Sequence, residues 1–129
     1  MPSLPKMAAF DLDGVLLDTS RGKDTYAMES ETDPTQAETI YERGGYVYLD
    51  EAIENAVEIV RAFENRGVTI AYVTARRYTA FDQTVQRLTE LGFPVNEDFL
   101  FMKPHKGGSK PEYKRNILRS LLTTFDVQC

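Results

Sequence analysis

Short apolar runs that alternate with helical patterns are the feature of this sequence that most constrains its fold. Runs at residues 7–10, 68–73 and 99–102 are nearly continuous in apolar residues, and residues 125–127 begin a fourth run of this kind. Strands of this composition, separated by helices, are typical of a parallel sheet that is covered on both faces. The alternation therefore predicts an α/β fold with helices on each side of a parallel sheet.

Three segments between these runs carry apolar residues at helical spacing. Asp50 is interpreted as the N-cap of the first helix, which Gly67 ends, and Thr79 as the N-cap of the second, which Gly92 ends. The third helix follows a capping-box pattern at residues 109–112. The apolar positions of the three helices are Ile53, Ala56, Val57, Val60 and Phe63; Phe81, Val85, Leu88 and Leu91; and Ile117, Leu118, Leu121 and Leu122.

Residues 19–49 interrupt this alternation. They are polar, show no clear periodicity, contain Pro34, and close with Gly44 and Gly45. We interpret them as a flap or small insert with at most one or two turns of helix, in which residues 46–49 could form a short extended piece. The whole chain, residues 1–129, is expected to form a single domain, because a domain commonly takes about 100–200 residues.

Composition limits the classes of protein to which the chain can belong. Apolar residues make up 42% and charged residues 27%, which is ordinary for a globular domain. The single cysteine, Cys129, excludes a disulfide framework and a cysteine-based zinc site. No apolar run approaches the roughly 18 residues of a membrane span, and the N-terminus lacks the apolar core of a signal peptide. We therefore expect a cytoplasmic protein with no membrane partner.

Charge is unevenly distributed along the chain. The net charge of −5 argues against non-specific binding to nucleic acid, which depends on a basic surface. Residues 103–119 nevertheless carry six bases against one acid. A basic segment near a predicted strand end could hold a nucleic-acid backbone, or it could simply form an anion-friendly rim.

Polar residues that could carry chemistry follow the three predicted strands. Asp11 and Asp13 end the first strand, Thr74 ends the second, and a basic, glycine-rich loop at 103–110 follows the third. In an open α/β sheet, ligands bind at the carboxyl ends of the strands. One of the two carboxylates could act as a nucleophile or metal ligand and the other as a general acid or base. Taken alone, however, an aspartate before a glycine is also ordinary turn chemistry.

Cationic side chains lie near the same predicted strand ends. Arg76 can offer a bidentate fork to a phosphate or to a carboxylate, and the hydroxyl of Thr74 can donate to a phosphoryl oxygen. Lys114 lies near the start of a helix whose free N–H groups and dipole already favour anions. Chemistry alone does not choose among the lysines of this region, which are Lys103, Lys106, Lys110 and Lys114.

These segments together resemble the signatures of the haloacid-dehalogenase (HAD) superfamily of phosphotransferases. Residues 10–19, FDLDGVLLDT, resemble its first signature, residues 73–76, VTAR, its second, and the helix bearing Lys114 its third. The resemblance covers nearly the whole chain and implies a three-layer, Rossmann-like, HAD-like sheet with little or no cap. Residues 114–127 look most like the phosphatase domain of polynucleotide kinase-phosphatases and related phage proteins.

The resemblance implies a role for each motif residue. Asp11 would attack phosphorus to form an aspartyl phosphate, and Asp13 would protonate the leaving oxygen and then activate water. Thr74 would hold a phosphoryl oxygen, and Lys114 would neutralise charge. Mg²⁺ would bind a carboxylate oxygen of Asp11 and the backbone carbonyl of Asp13. The residues assigned to substrate binding are Ala75, Arg76 and Lys110.

The fourth motif of the superfamily, which supplies the last metal-binding acids, has no counterpart in this sequence. The only acid after Lys114 is Asp126, which is interpreted as the start of the fourth strand and thus lies at the wrong end of the sheet. The fold is therefore expected to be incomplete at its C-terminus, with weak Mg²⁺ binding and low activity. An open edge on the first strand is expected to favour self-association.

Two functions remain open at this point. The leading one is a Mg²⁺-dependent phosphomonoester hydrolase, with a nucleotide or a polynucleotide 3′-phosphate end as substrate. Its rival is a catalytically incompetent phosphate-binding or interaction module of the same fold. The tyrosines in or beside residues 19–49 could stack on bases, or they could pack this segment onto the sheet.

Overall fold

The structure, a computed structural model, describes residues 4–104 and 110–128. Within these residues it contains a four-stranded parallel sheet, a two-stranded antiparallel sheet and five α-helices. In chain order the elements are β1 (Lys6–Phe10), β2 (Leu17–Asp18), α1 (Ser20–Thr32), α2 (Pro34–Glu42), β3 (Glu51–Ala52), α3 (Ala56–Asn65), β4 (Thr69–Arg77), α4 (Phe81–Leu91), β5 (Leu100–Lys103), α5 (Lys110–Leu122) and β6 (Asp126–Gln128).

The parallel sheet has the strand order β5-β4-β1-β6. Met7 of β1 pairs with Thr69 of β4 on one side and with Val127 of β6 on the other, and further along β1 Phe10 pairs with Tyr72. Each apolar run identified in the sequence thus forms a strand. The prediction of an α/β fold built on a parallel sheet is confirmed.

Helices cover both faces of this sheet. Successive strand residues point to opposite faces, so neighbouring residues enter different layers. One face packs against α3 and α4, and the other packs against α5. The core between the sheet and helices α3 and α4 includes the buried residues Ala8, Ile70, Tyr72, Leu100, Val60 and Leu88. The core between the sheet and α5 contains Met7, Ala71 and Leu121, with Ile117 and Phe125 packed against them. The three-layer arrangement expected from the resemblance is therefore present.

Residues 20–49 fold as a helical hairpin, so the prediction of a flap with little helix was wrong. The hairpin consists of α1, α2 and a 3₁₀ turn at Val47–Leu49, and the expected extended piece at 46–49 is absent. Asp33 caps α2, since its Oδ1 accepts a hydrogen bond from the N–H of Gln36 at 3.0 Å, and Pro34 occupies the first helical position. The Asp-Pro pair thus starts a helix rather than breaking one.

Tyrosine rings pack against one another within the helical hairpin. The ring of Tyr26 lies 5.0 Å from that of Tyr41 and 5.9 Å from that of Tyr46. The hydroxyl of Tyr46 donates to Glu29, and this hydrogen bond raises the pKa of Tyr46 to about 12. These contacts join residues far apart in sequence, so the helices need no apolar periodicity of their own.

The predicted N-caps of the two middle helices were also wrong. The first helix, α3, begins at Ala56, so Asp50 lies outside it. The second, α4, begins at Phe81, and Thr79 lies in a preceding 3₁₀ turn, where its hydroxyl donates to the carbonyl of Glu42. The expected end of α4 is right, because the residue after its last turn, Gly92, has a φ of +97°.

The C-terminal strand, β6, has the orientation expected from the sequence. It pairs only with Lys6, Met7 and Ala8, and Asp126 lies opposite Lys6. Asp126 is therefore at the end of the sheet away from Asp11. Ser109 of the predicted capping box lies outside the described residues. In the part of the chain that the structure describes, no helix is long and apolar enough to cross a membrane.

Candidate active site

The carboxyl ends of β1 and β4 bring two predicted site residues to the same edge of the sheet. Because Phe10 pairs with Tyr72, Asp11 lies one residue beyond this pair and Thr74 two residues beyond it. Thr74 is fully buried, and its Oγ1 accepts a hydrogen bond from the backbone N–H of Arg76 at 3.1 Å. This contact uses the Thr74 oxygen as an acceptor and leaves its hydroxyl hydrogen without an acceptor among the described residues.

A tight turn at residues 14–16 directly follows Asp13. The backbone N–H of Leu12 donates to Oδ1 of Asp11 at 2.8 Å, and the Leu12 side chain is fully buried. Gly14 has a φ of +78°, a conformation that favours glycine. The carbonyl of Leu12 accepts hydrogen bonds from the N–H groups of Val15, Leu16 and Leu17. The turn is thus anchored by its backbone and by the buried side chain of Leu12.

The structure brings Lys114 of α5 into contact with Asp11. The distance from Nζ of Lys114 to Oδ2 of Asp11 is 2.6 Å. Their side chains are 32% and 36% exposed, so solvent screens the pair and it adds little to stability. The pair is thus close and partly open to solvent.

Arg76 does not lie free at the start of a loop. Its Nε and Nη2 donate to Oδ1 of Asp13 at 3.0 and 2.6 Å, and Nη2 also donates to Oδ2 of Asp50 at 2.7 Å. The Arg76 side chain is only 12% exposed. Its fork therefore binds two carboxylates of this chain, and its assignment to substrate binding remains a prediction.

A β-bulge in β4 turns the side chain of Arg76 toward Asp13. In the pairing of β4 with β5, Thr74 lies opposite Met102 and Arg77 opposite Lys103, so Ala75 and Arg76 are extra residues in β4. Bulges of this kind bend a strand and redirect its side chains, and they are common beside active sites. Ala75 is half-buried within this bulge. Nothing in the sequence marks a bulge at these positions.

Asp50 is the residue of this cluster that the sequence interpretation missed. Its side chain is 5% exposed, and burial raises the pKa of its carboxyl, an effect that the neighbouring Arg76 opposes. Burying a carboxylate is costly unless a partner offsets the lost hydration. The sequence offered no signal for this partnership, because an aspartate ahead of a helical pattern is ordinarily read as a cap.

A cavity of about 230 Å³ separates the helical hairpin from this cluster. Its walls include Asp13, Asp50 and Arg76 on one side, and Lys23, Tyr41, Glu42 and Tyr46 on the other. A second cavity, of about 390 Å³, shares Asp13, Thr19 and Lys23 with it. Of the four predicted catalytic residues, Asp11, Asp13, Thr74 and Lys114, it is Asp13 that lies among the walls of both cavities.

The remaining candidate residues show how far the site extends. Lys110 is the first residue of α5, and its side chain lies outside what the structure describes. Asp18 accepts a hydrogen bond from the N–H of Ser20 at 2.9 Å, and hydrogen bonds from Ser20 lower the pKa of Asp18. Across the described residues, no group of three or more His, Cys, Asp or Glu side chains is placed to hold a metal ion.

Comparisons with known proteins agree with this geometry. The family model of the HAD superfamily, subfamily IIIB (Acid phosphatase), matches residues 3–127. A Bacillus cereus protein named "Putative nucleotidase" is 36% identical over 70 residues, which are 54% of this chain and 34% of that protein. Neither the matched family nor this relative is a polynucleotide kinase-phosphatase.

Solved structures show the same fold. A class C acid phosphatase from Bacillus anthracis with tungstate bound superposes with a TM-score of 0.74 at 20% identity, and a second structure of a class C acid phosphatase from that organism gives 0.73 at 21%. Each match covers 98% of this chain and 50% of the other, so the chain spans about half the length of these phosphatases. Because the family match covers nearly all of its residues, the chain belongs to the HAD superfamily, subfamily IIIB of the acid phosphatases.

Proposed function

We propose that this chain hydrolyses phosphomonoesters, with Asp11 as the nucleophile and Asp13 as the acid and base. The observation that carries the proposal is the contact between Lys114 and Asp11, 2.6 Å apart at the end of β1. A cation in this position can neutralise both the attacking carboxylate and a phosphoryl oxygen. Phosphoryl transfer needs little beyond such positioning and charge stabilisation.

The proposed reaction has two steps. A carboxylate oxygen of Asp11 attacks phosphorus, the bond to the leaving oxygen breaks, and Asp13 gives that oxygen its proton. Asp13 then removes a proton from water, which attacks the aspartyl phosphate and releases inorganic phosphate and free Asp11. Thr74 donates its hydroxyl hydrogen to a phosphoryl oxygen in both steps. Support for these roles comes from the placement of Asp11 and Thr74 at one sheet edge and of Asp13 beside the cavity.

Mg²⁺ is the proposed cofactor. It commonly takes one or two carboxylates and completes its shell with water and substrate phosphate. The Asp11 carboxylate and the backbone carbonyl of Asp13 fit this minimal set, although the described residues hold no group of three or more His, Cys, Asp or Glu side chains placed to bind a metal ion. When bound, Mg²⁺ would offset negative charge on the phosphate.

A nucleotide is the proposed substrate class, because the Bacillus cereus relative is named as a nucleotidase. We place the leaving group in the cavity of about 230 Å³, because the proposed acid, Asp13, is among its walls together with Tyr41 and Tyr46. A polynucleotide 3′-phosphate end is the narrower form of this proposal. It rests on the sequence resemblance of residues 114–127 alone.

Phosphate release from an aryl phosphate in the presence of Mg²⁺ tests the proposal. We expect turnover that Asp11→Asn abolishes, because an amide cannot attack phosphorus, and that chelation of Mg²⁺ removes. Asp98→Asn is the matched control, since Asp98 lies in the 3₁₀ turn Glu97–Phe99, before β5 begins. Equal rates in the wild type and Asp11→Asn would contradict the proposed nucleophile.

The rival function is a phosphate-binding module without turnover. Two observations favour it: the described residues lack a complete cluster of metal-binding acids, and the chain spans half the length of the class C acid phosphatases. Tungstate, which one of those phosphatases binds, is a suitable probe. The rival predicts tungstate binding that depends on Lys114 and no release of phosphate under any metal condition.

Two further properties remain predictions. We propose self-association through the sheet edge at β6, because Ala9 and Phe10 of β1 extend beyond the residues that β6 pairs. Light scattering over a range of concentrations tests it, and a monomer at all of them would contradict it. A cytoplasmic location is also proposed, on the basis of the sequence composition.

A further inference from the structure

The cluster of Asp13, Arg76 and Asp50 has a directional geometry. Two nitrogens of Arg76, Nε and Nη2, donate hydrogen bonds to the same oxygen of Asp13, Oδ1, at 3.0 and 2.6 Å. No described residue donates a hydrogen bond to Oδ2 of Asp13, whose side chain is 41% exposed. One oxygen of Asp13 is therefore fixed while the other stays accessible beside the cavity.

Asp50 is itself fixed from several sides. Its backbone N–H donates to the carbonyl of Val47 at 3.0 Å, and its own carbonyl accepts a hydrogen bond from Nε of Arg87 at 2.8 Å. The next residue, Glu51, pairs with Asp18 in the small antiparallel sheet. This pairing joins the segment of Asp50 to the turn that carries Asp13. Asp50 therefore presents its carboxylate to Arg76 from a rigid position.

Stability does not explain this cluster. A buried ion pair often contributes no more than well-packed apolar residues would, because desolvation offsets the attraction. Nη1 of Arg76 is also buried without a hydrogen-bond partner among the described residues, which adds a further cost. An arrangement that costs folding free energy while orienting one carboxylate is typical of a functional site.

We propose that Asp50 is a positioning residue, which acts through Arg76 to hold the Asp13 carboxylate with Oδ2 facing the leaving group. This inference rests on the proposed hydrolase function. Asp50 contacts Arg76 and acts on the Asp13 carboxylate through it. Without Asp50, Arg76 has one carboxylate partner, so its guanidinium moves more freely and its contact with Asp13 opens more often.

The first experiment measures the Arg76 side chain directly and needs no turnover. Proton exchange at Nε of Arg76 is followed by NMR, with the signal assigned from its loss in Arg76→Lys. We expect exchange at least about tenfold faster in Asp50→Ala than in the wild type, because an ordered, hydrogen-bonded Nε–H must open before it exchanges. Asp50→Asn, which keeps an oxygen acceptor for Nη2, should restore slow exchange. Unchanged exchange in Asp50→Ala would overturn the proposal.

The second experiment measures kcat and KM with an aryl phosphate. We expect Asp50→Ala to lower kcat by about tenfold to a hundredfold with little change in KM, since misplacing a reacting group by about 1 Å has an effect of this size. Glu51→Ala is the matched control, because Glu51 is the neighbouring acid and its partner is the exposed Arg21. A kcat of Asp50→Ala equal to that of Glu51→Ala would overturn the proposal.

Arg76→Lys covers the case in which Asp50→Ala does not fold. A lysine ammonium lacks the fork that spans two carboxylates, so kcat should fall as in Asp50→Ala. Wild-type kcat in a folded Arg76→Lys would overturn the proposal. If the wild type itself shows no turnover, the hydrolase function fails, whereas the NMR experiment still decides whether Asp50 holds Arg76 on Asp13.

Discussion

The turn that follows α2 in the helical hairpin contains a glycine, Gly44, with no room for a side chain. Gly44 has a φ of +76°, and a Cβ added to it would lie 2.9 Å from Cβ of Ala80 and 3.2 Å from Cβ of Gln83. Gly67 has a nearly identical φ of +80°, but an added Cβ would meet nothing within 4 Å. These two glycines therefore separate the cost of the backbone conformation from the cost of crowding.

We predict that Gly67→Ala lowers the free energy of unfolding by about 1 kcal/mol, the cost of a left-handed conformation for a residue with a Cβ. Gly44→Ala carries the same cost and an overpacking cost of about 1–3 kcal/mol, so its loss should be about 2–4 kcal/mol. Equilibrium urea unfolding measures both, and unchanged slopes verify that the same two states are compared. Losses equal within about 0.5 kcal/mol would refute the crowding argument.

The same substitution links the turn to the proposed activity. Gly44 and Ala80 both line the cavity of about 230 Å³, so relief of the close contact must move the helical hairpin relative to α4. We expect Gly44→Ala to lower kcat/KM while Gly67→Ala leaves it unchanged, because Gly67 follows α3 and is absent from the cavity walls. Equal kcat/KM values would show that the turn does not shape the site.

Three further predictions concern single side chains. Thr84→Val should raise the free energy of unfolding by about 1 kcal/mol, because the buried Thr84 hydroxyl has no partner among the described residues. Thermal unfolding measures this change, and a lower Tm would contradict it. Lys114→Met should change the free energy of unfolding by less than about 1 kcal/mol, since the pair with Asp11 is about one-third exposed. The same substitution should weaken the binding of inorganic phosphate about tenfold, which calorimetry measures. Burial raises the pKa of Asp50, so the folded chain holds that proton more tightly than the unfolded chain. The free energy of unfolding of the wild type should therefore fall, relative to that of Asp50→Asn, as pH rises from about 4 through the raised pKa. Urea unfolding at several pH values measures this dependence. A free energy of unfolding that rises over this pH range would show that the attraction to Arg76 outweighs the effect of burial.

The strands were predictable because each of them carries its own signal. Residues 7–10 and 99–102 are apolar runs too short for helices, and in the structure they form most of β1 and β5. Burial on both faces requires apolar residues at successive positions, which a local reading detects. The family resemblance also implies that the fourth strand lies beside the first, and the pairing of β1 with β6 agrees with it.

The helical hairpin was not predictable in this way because its stabilising contacts are not periodic in sequence. α1 buries only Gly22 along its 13 residues, so no apolar stripe marks it. Its helical form depends on contacts made at a distance, such as the packing of Tyr26 against Tyr41 of α2. Tertiary contacts of this kind override weak local propensity, and they become visible only once the two helices are paired.

The candidate site likewise contains some residues that the sequence predicts and others that it does not. Asp11 and Thr74 follow neighbouring strands, so a parallel topology alone brings them to one edge, and the family signature singles out Lys114 from the other lysines. The link from Asp50 to Arg76 depends on a two-residue bulge and on the chain returning beside β2. Neither feature leaves a pattern in a single sequence, because both are set by the register between distant segments.

The charges joined by these contacts bear on which of the two functions is correct. Three carboxylates, of Asp11, Asp13 and Asp50, share two cations, Lys114 and Arg76, which leaves one negative charge in excess when all are ionised. A phosphomonoester adds about two more negative charges at neutral pH, so the cluster by itself repels the ligand that a binding module would have to hold. An excess of negative charge is expected if two of the carboxylates are reactive groups and a divalent cation enters with the substrate to offset it. The charge balance of the described contacts therefore supports the proposed hydrolase, with a divalent cation as its proposed cofactor, over a module that only binds phosphate.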